Sequence, residues 1–111
     1  MQYLLLIYDN EKRWEQGYDP VEMKAYGEFG GTHHAAIKGG HALKPTAEAT
    51  TVRLRDGKRL TTDGPYAETK EQLSGYYLIE AGDLDAAIAI AADVPAACYG
   101  AIEVRPILMF S

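Results

Sequence analysis

Asp63, Glu68, Lys70 and Glu71 crowd one short connection in the stretch DGPYAETKEQLSGYYLIE, residues 63–80. Two kinds of chemistry are open to them. A carboxylate such as Asp63 could act as an acid or base at the rim of an aromatic pocket, if burial or a partner moved its pKa toward neutrality. Alternatively, Asp63 accepts hydrogen bonds from turn amides while the other three form a solvated face. Asp-Gly-Pro favours a turn in its own right, since aspartate bonds its own backbone and proline fixes φ. Glu68 and Glu71 are three residues apart, a spacing that could serve a metal. No histidine stands at a recognisable ligand distance from them, so no metal is expected.

His33 is the second candidate for acid–base work, because an imidazole titrates near neutral pH. It lies four residues from Phe29 and four from Ile37, a helical stripe that equally suits a core-edge residue. His34 would point elsewhere on the same helix, and His41 follows a Gly-Gly pair. Together the three histidines make no zinc pattern. Eight tyrosines supply possible lining for a small-molecule pocket. Tyr8, Tyr66 and Tyr77 fall on or near strands and the charged connection, with Lys70 and Arg105 as polar partners for a ligand. The plainer reading is that tyrosine packs well in strands and that Arg105 pairs at a strand edge.

The elements that must hold these residues can be read from the patterning. Residues 2–8, QYLLLIY, form an unbroken apolar run, as expected of a strand buried on both faces. Asp19-Pro20 is a helix start, and the helix is expected to run to about residue 38 and stop at Gly39-Gly40. Residues 41–45 read as a short strand or turn. TTVRLR and KRLTT flank Asp56-Gly57, a strong hairpin signal. After the charged connection, whose acids are expected on a short helical turn, GYYLIE is another two-faced strand. Asp83 caps a second helix that ends before Pro95, and GAIEVRPILMF closes the chain as a strand and tail. The order fits an α+β fold, a ferredoxin-like βαββαβ core with an inserted β-hairpin, in one domain spanning residues 1–111. Two helices cover one face of such a sheet. The other is apolar enough to need a cover, so a homodimer or higher homo-oligomer is expected, with sheets facing each other.

Composition narrows the function classes. A net charge of −5 argues against nucleic acid as the main partner. No apolar run approaches the roughly 20 residues of a membrane span, and the N-terminus has no signal-peptide pattern. The single cysteine, Cys98, has no internal partner, which fits a reducing cytoplasm. Glycine-rich phosphate loops, nucleophile elbows and CxxC motifs are absent, so no cofactor is expected.

DGPYAETKEQLSGYYLIE closely resembles the signature of the DGPF domain family, part of the YCII-related group. Asp63, Gly64, Pro65, Glu68, Lys70 and Glu71 match it, and Tyr66 stands where phenylalanine is usual. AYGEF (25–29), TTVRLRDGK (50–58) and IEVRP (102–106) resemble its first helix, hairpin and closing strand, so the resemblance covers nearly the whole chain. It implies a ferredoxin-like fold of the dimeric α+β barrel type. It also implies one of two functions. The first is binding of a small organic molecule in a barrel cleft, with cofactor-free acid–base catalysis as its enzymatic form. The alternative is a non-catalytic accessory protein acting with an extracytoplasmic-function sigma factor in stress signalling. The histidine of YCII-type relatives falls here on Met23 or Lys24, and their aspartate has Glu48 as its nearest acid. Asp63 and His33 are therefore the catalytic candidates read from this chain itself.

Overall fold

A computed structural model describes residues 1–110. The first strand, β1 (Gln2–Asp9), is the centre of the molecule. It pairs antiparallel with β5 (Gln72–Glu80) on one side and with β6 (Ala101–Pro106) on the other. β2 (Ile37–Ala42) pairs with the outer edge of β5, giving the order β2-β5-β1-β6. α1 (Pro20–Thr32) connects β1 to β2, and α2 (Leu84–Ala92) connects β5 to β6. This is the ferredoxin-like α+β arrangement. β3 (Thr50–Arg55) and β4 (Lys58–Asp63) are inserted between β2 and β5 as a separate two-stranded sheet.

Strand alternation explains which face is covered. Tyr3, Leu5, Ile7 and Asp9 point to one side of β1 and are buried; Leu4, Leu6 and Tyr8 point to the other and are only half-buried. On the covered side, Tyr3, Leu5, Ile7 and Ile79 pack with Phe29 of α1 and with Ala87 and Ala91 of α2. Small alanines let α2 lie close to the sheet. The opposite face carries Leu4, Leu6 and Leu78 with no helix above them.

Both helices start as the capping signals require. The Asp19 carboxylate accepts from the Val21 amide at 2.9 Å, with Pro20 in the first turn. Asp83 accepts from the Ala86 amide at 2.9 Å. α1 does not reach residue 38. Its last residue is Thr32, and His33 closes it by donating its backbone N–H to the Phe29 carbonyl at 3.0 Å. Gly30-Gly31 weaken the helix where it ends, and residues 37–42 gain more by pairing with β5 as a strand. Gly39-Gly40 therefore lie inside β2. A β-carbon at Gly40 would sit 2.6 Å from the Tyr76 carbonyl oxygen, so the close approach of these two strands depends on its absence.

The Asp56-Gly57 hairpin forms as expected, with positive φ at both turn residues, 54° and 75°. Val52, Leu54 and Leu60 are exposed on it. Projection of this arm makes the molecule a plate of 47 × 45 × 19 Å with a radius of gyration of 15.9 Å, against about 13 Å for a compact chain of this length. Its accessible surface of 7944 Å² exceeds by about 1,900 Å² what a folded monomer of this mass ordinarily shows.

Candidate ligand-binding site

Between α1 and the β2–β5 side of the sheet lies a cavity of about 350 Å³, within the range of small-molecule sites. Trp14 comes from the 3-10 turn Glu11–Trp14, Tyr18 from the loop that follows, Met23 and Tyr26 from α1, and Tyr77 from β5. Trp14 and Tyr18 stack with ring centroids 5.6 Å apart and planes within 15°. Gly40 and Gly75 leave bare backbone on the sheet side. His41 and Tyr76 also border the cavity, but the pleat carries their side chains to the other face. Tyr77, one residue on, packs against Phe29 under the helices at 5.1 Å, while His41 Nδ1 hydrogen-bonds the Tyr76 hydroxyl at 2.9 Å.

One end of the cavity is held by a charge cluster. Asp9, at the end of β1, is 3% exposed. Arg13 Nε donates to both its oxygens, at 3.0 and 3.1 Å, and Nη2 reaches the carboxylate as well. The same guanidinium donates to Glu22 of α1 at 3.0 Å, and its flat face lies 3.9 Å from the Tyr99 ring centroid. Hydrogen bonding to Asp9 raises the Arg13 pKa still further above its ordinary value. Burial, helped by the charge of Glu22, pushes the Tyr26 phenol up to about 12, and burial raises Tyr77 in the same direction. Both phenols are therefore neutral donors at physiological pH.

A second cleft flanks the first. His33 Nε2 meets Asp93 Oδ2 at 2.8 Å, joining the C-terminal ends of α1 and α2. This pair lines a groove with Glu28, Phe29, Cys98 and Tyr99. Phe29 lies between the two clefts, its ring tilted 5.1 Å from His33 in the groove and 5.1 Å from Tyr77 of the cavity wall.

A family model matches residues 1–111 of the chain, that of the YCII-related domain. The chain belongs to the YCII-related domain family. An uncharacterised protein of Rhizobium meliloti is 37% identical over 117 residues, covering 99% of this chain and 94% of that one. Among solved structures, 5-chloro-2-hydroxyhydroquinone dehydrochlorinase from Burkholderia phenoliruptrix, in complex with 2,5-dihydroxybenzoquinone, superposes with a TM-score of 0.51. The match covers 97% of this chain and 94% of that one, at 16% identity. That likeness is one of fold.

In this YCII-related chain the charged part of the signature, residues 63–71, sits away from the aromatic cavity, while its closing strand lends the cavity Gly75 and Tyr77. Asp63 ends β4 and is exposed, and it lines a different recess, with Thr46, Pro65 and Gln72. His33 lines the groove between the helix ends, so the two residues do not share a cleft. The Asp63-Gly64-Pro65 turn is tied down by its backbone. The Gly64 amide donates to the Ala49 carbonyl at 2.7 Å, and the Thr51 hydroxyl donates to the Gly64 carbonyl at 2.9 Å. Residues 64–71 form bends and not the helical turn expected for Glu68, Lys70 and Glu71. Thr69 and Gln72 bond locally there and hold the chain open.

The remaining candidates divide. Tyr77 lines the aromatic cavity. Tyr8 and Tyr66 border a separate recess beside Pro45 and Leu73, where Arg53 sits 5.0 Å over the Tyr66 ring. Lys70 is exposed. Arg105 Nε pairs with Glu103 at 2.7 Å on the uncovered face of β6, so its charge is already engaged. Sequence reasoning passed over Asp9, Arg13, Trp14 and Tyr18. Their signal was two i, i+4 pairs in DNEKRWEQGY, an acid with an arginine and a tryptophan with a tyrosine, inside what reads as a polar loop.

Among the described residues no helix is long and apolar enough to cross a membrane.

Proposed function

We propose that this YCII-related protein binds a small, ring-sized organic molecule in the cavity between α1 and the sheet. The observation that carries the reading is the cavity itself, about 350 Å³ and walled by Trp14, Tyr18, Tyr26 and Tyr77. Aromatic walls with a few placed polar groups are how proteins hold such ligands. A quinone of ring size in a protein of the same fold supports the scale of the ligand. Nuclear magnetic resonance titration with hydroquinone tests it. Shifts are expected at the Trp14 indole and at the Gly40 and Gly75 amides. Shifts confined to the recess around Tyr66, or no shifts, would overturn it.

The catalytic form of the proposal is cofactor-free acid–base chemistry, and it belongs to the neighbouring groove and not to the aromatic cavity, since the 2.8 Å His33–Asp93 contact that favours it lies there. A carboxylate that fixes one imidazole nitrogen leaves the other to move a proton. Exchange of hydroquinone ring protons in heavy water would report it. His33→Gln is expected to abolish exchange while retaining binding; equal exchange by the variant would remove His33 from the chemistry.

We infer further that the protein works as a homodimer through the uncovered sheet face. Half-buried Leu4, Leu6 and Leu78, together with the excess surface of the single chain, support this assembly.

A further inference from the structure

We propose that the aromatic cavity selects an organic cation, a protonated amine or quaternary ammonium on an apolar or aromatic body. This rests on the binding proposal above and adds the charge of the ligand. Three charged side chains line the cavity, namely Asp9, Arg13 and Glu22. Two are carboxylates and one is a guanidinium, so the site carries one net negative charge. Four of the five guanidinium N–H groups are already engaged, so little is left to offer an anion. Asp9 and Glu22 occupy its hydrogen-bonding edges, and Tyr99 covers its face at 3.9 Å. Asp9 is closed off further by the Asn10 amide, which donates to it at 2.8 Å. Glu22 is the more accessible acid, its side chain 17% exposed against 5% for Asp9.

The walls agree with this sign. The faces of Trp14, Tyr18, Tyr26 and Tyr77 carry negative quadrupole potential, which attracts a cation placed over them. Indole is the strongest such face, and Trp14 has one of its faces covered by Tyr18. An entering carboxylate or phenolate would meet two carboxylates and aromatic faces. An entering ammonium would meet the Asp9–Arg13–Glu22 cluster, with its one net negative charge, on one side and rings on the others.

Three probes of similar size separate the outcomes: benzyltrimethylammonium, benzyl alcohol and phenylacetate. Binding to the full chain is followed by the emission of Trp14, the single tryptophan, and by titration calorimetry. The cation is expected to bind about tenfold more tightly than the alcohol, with phenylacetate weakest. Its affinity alone should fall with added salt. Glu22→Gln should bring the affinity for the cation close to that for the alcohol. If that variant does not fold, the salt dependence of the unaltered protein decides. Equal or tighter binding of the alcohol or of phenylacetate would overturn the charge assignment and leave the cavity proposal standing. Absence of binding by all three, in both measurements, would remove the cavity proposal and this inference with it.

Discussion

Replacing Arg13 by methionine should test the architecture of the cavity most severely. The substitution keeps an unbranched side chain against Tyr99 but leaves Asp9, 3% exposed, without its cation and facing Glu22. Removing one partner of a buried ion pair typically costs about 3–5 kcal/mol, because a charge stays buried and uncompensated. Unfolding entropy of about 2.1 cal/mol/K per residue comes to roughly 230 cal/mol/K for the whole chain. The melting temperature should therefore fall by about 13–21 °C. The assay is thermal unfolding followed by far-ultraviolet circular dichroism at neutral pH, at one fixed protein concentration so that assembly does not shift the comparison. Asp9→Asn combined with Arg13→Met should recover most of the loss, since neither charge then remains. A fall of less than about 4 °C for Arg13→Met, near 1 kcal/mol, would refute the reasoning and make the cluster a surface pair of ordinary strength.

Three further outcomes are expected. With the folded Tyr26 pKa pushed to about 12 from an ordinary 10, the unfolded chain releases this proton first, so stability should fall as pH rises from about 10 to 12. Tyr26→Phe should flatten that decline in denaturant titrations and remove the latest phase of the tyrosine absorbance titration. Gly100→Ala would put a β-carbon 2.0 Å from the Tyr8 carbonyl oxygen, forcing β6 away from β1; a loss of about 2–3 kcal/mol or more is expected by denaturant unfolding. Leu6→Glu should convert a sedimenting dimer into a monomer, and a wild-type protein that sediments as a monomer at micromolar concentration would refute the proposed assembly.

Most of the fold was legible because strand period, caps and the Asp56-Gly57 turn each carry their own chemistry. QYLLLIY announced a two-faced strand, and the structure makes it the sheet's centre. The failure at residues 33–42 has a physical cause. Gly39-Gly40 read as a helix stop, yet glycine is equally the residue that lets one strand approach another closely. Only the partner, β5, decides between the two uses. The site was far less legible. Asp63 stood out because its motif is dense with charge, but that motif anchors the base of the hairpin. The cavity is assembled from β1, its following loop, α1, β2 and β5, and spacing along the chain does not reveal which of these residues converge. Asp9, one residue past the apolar run 2–8, gave no sign in the sequence that its carboxylate is buried against Arg13.

The central place of β1 also sets an order of events during synthesis. It is made before the other strands of its sheet, yet its partners begin only at residues 72 and 101. At about 5–20 residues per second, several seconds to some twenty seconds separate the emergence of QYLLLIY from that of its last partner. Both its edges stay unpaired until β5 has emerged at residue 80, and one stays open until β6 follows, a closure that joins residues far apart in the chain. Nascent copies are therefore most prone to associate with one another before the final strand appears. A circular permutant opened at the exposed Asp56-Gly57 tip, with the old termini joined, would place β6 immediately ahead of β1 and shorten that wait to the length of the linker.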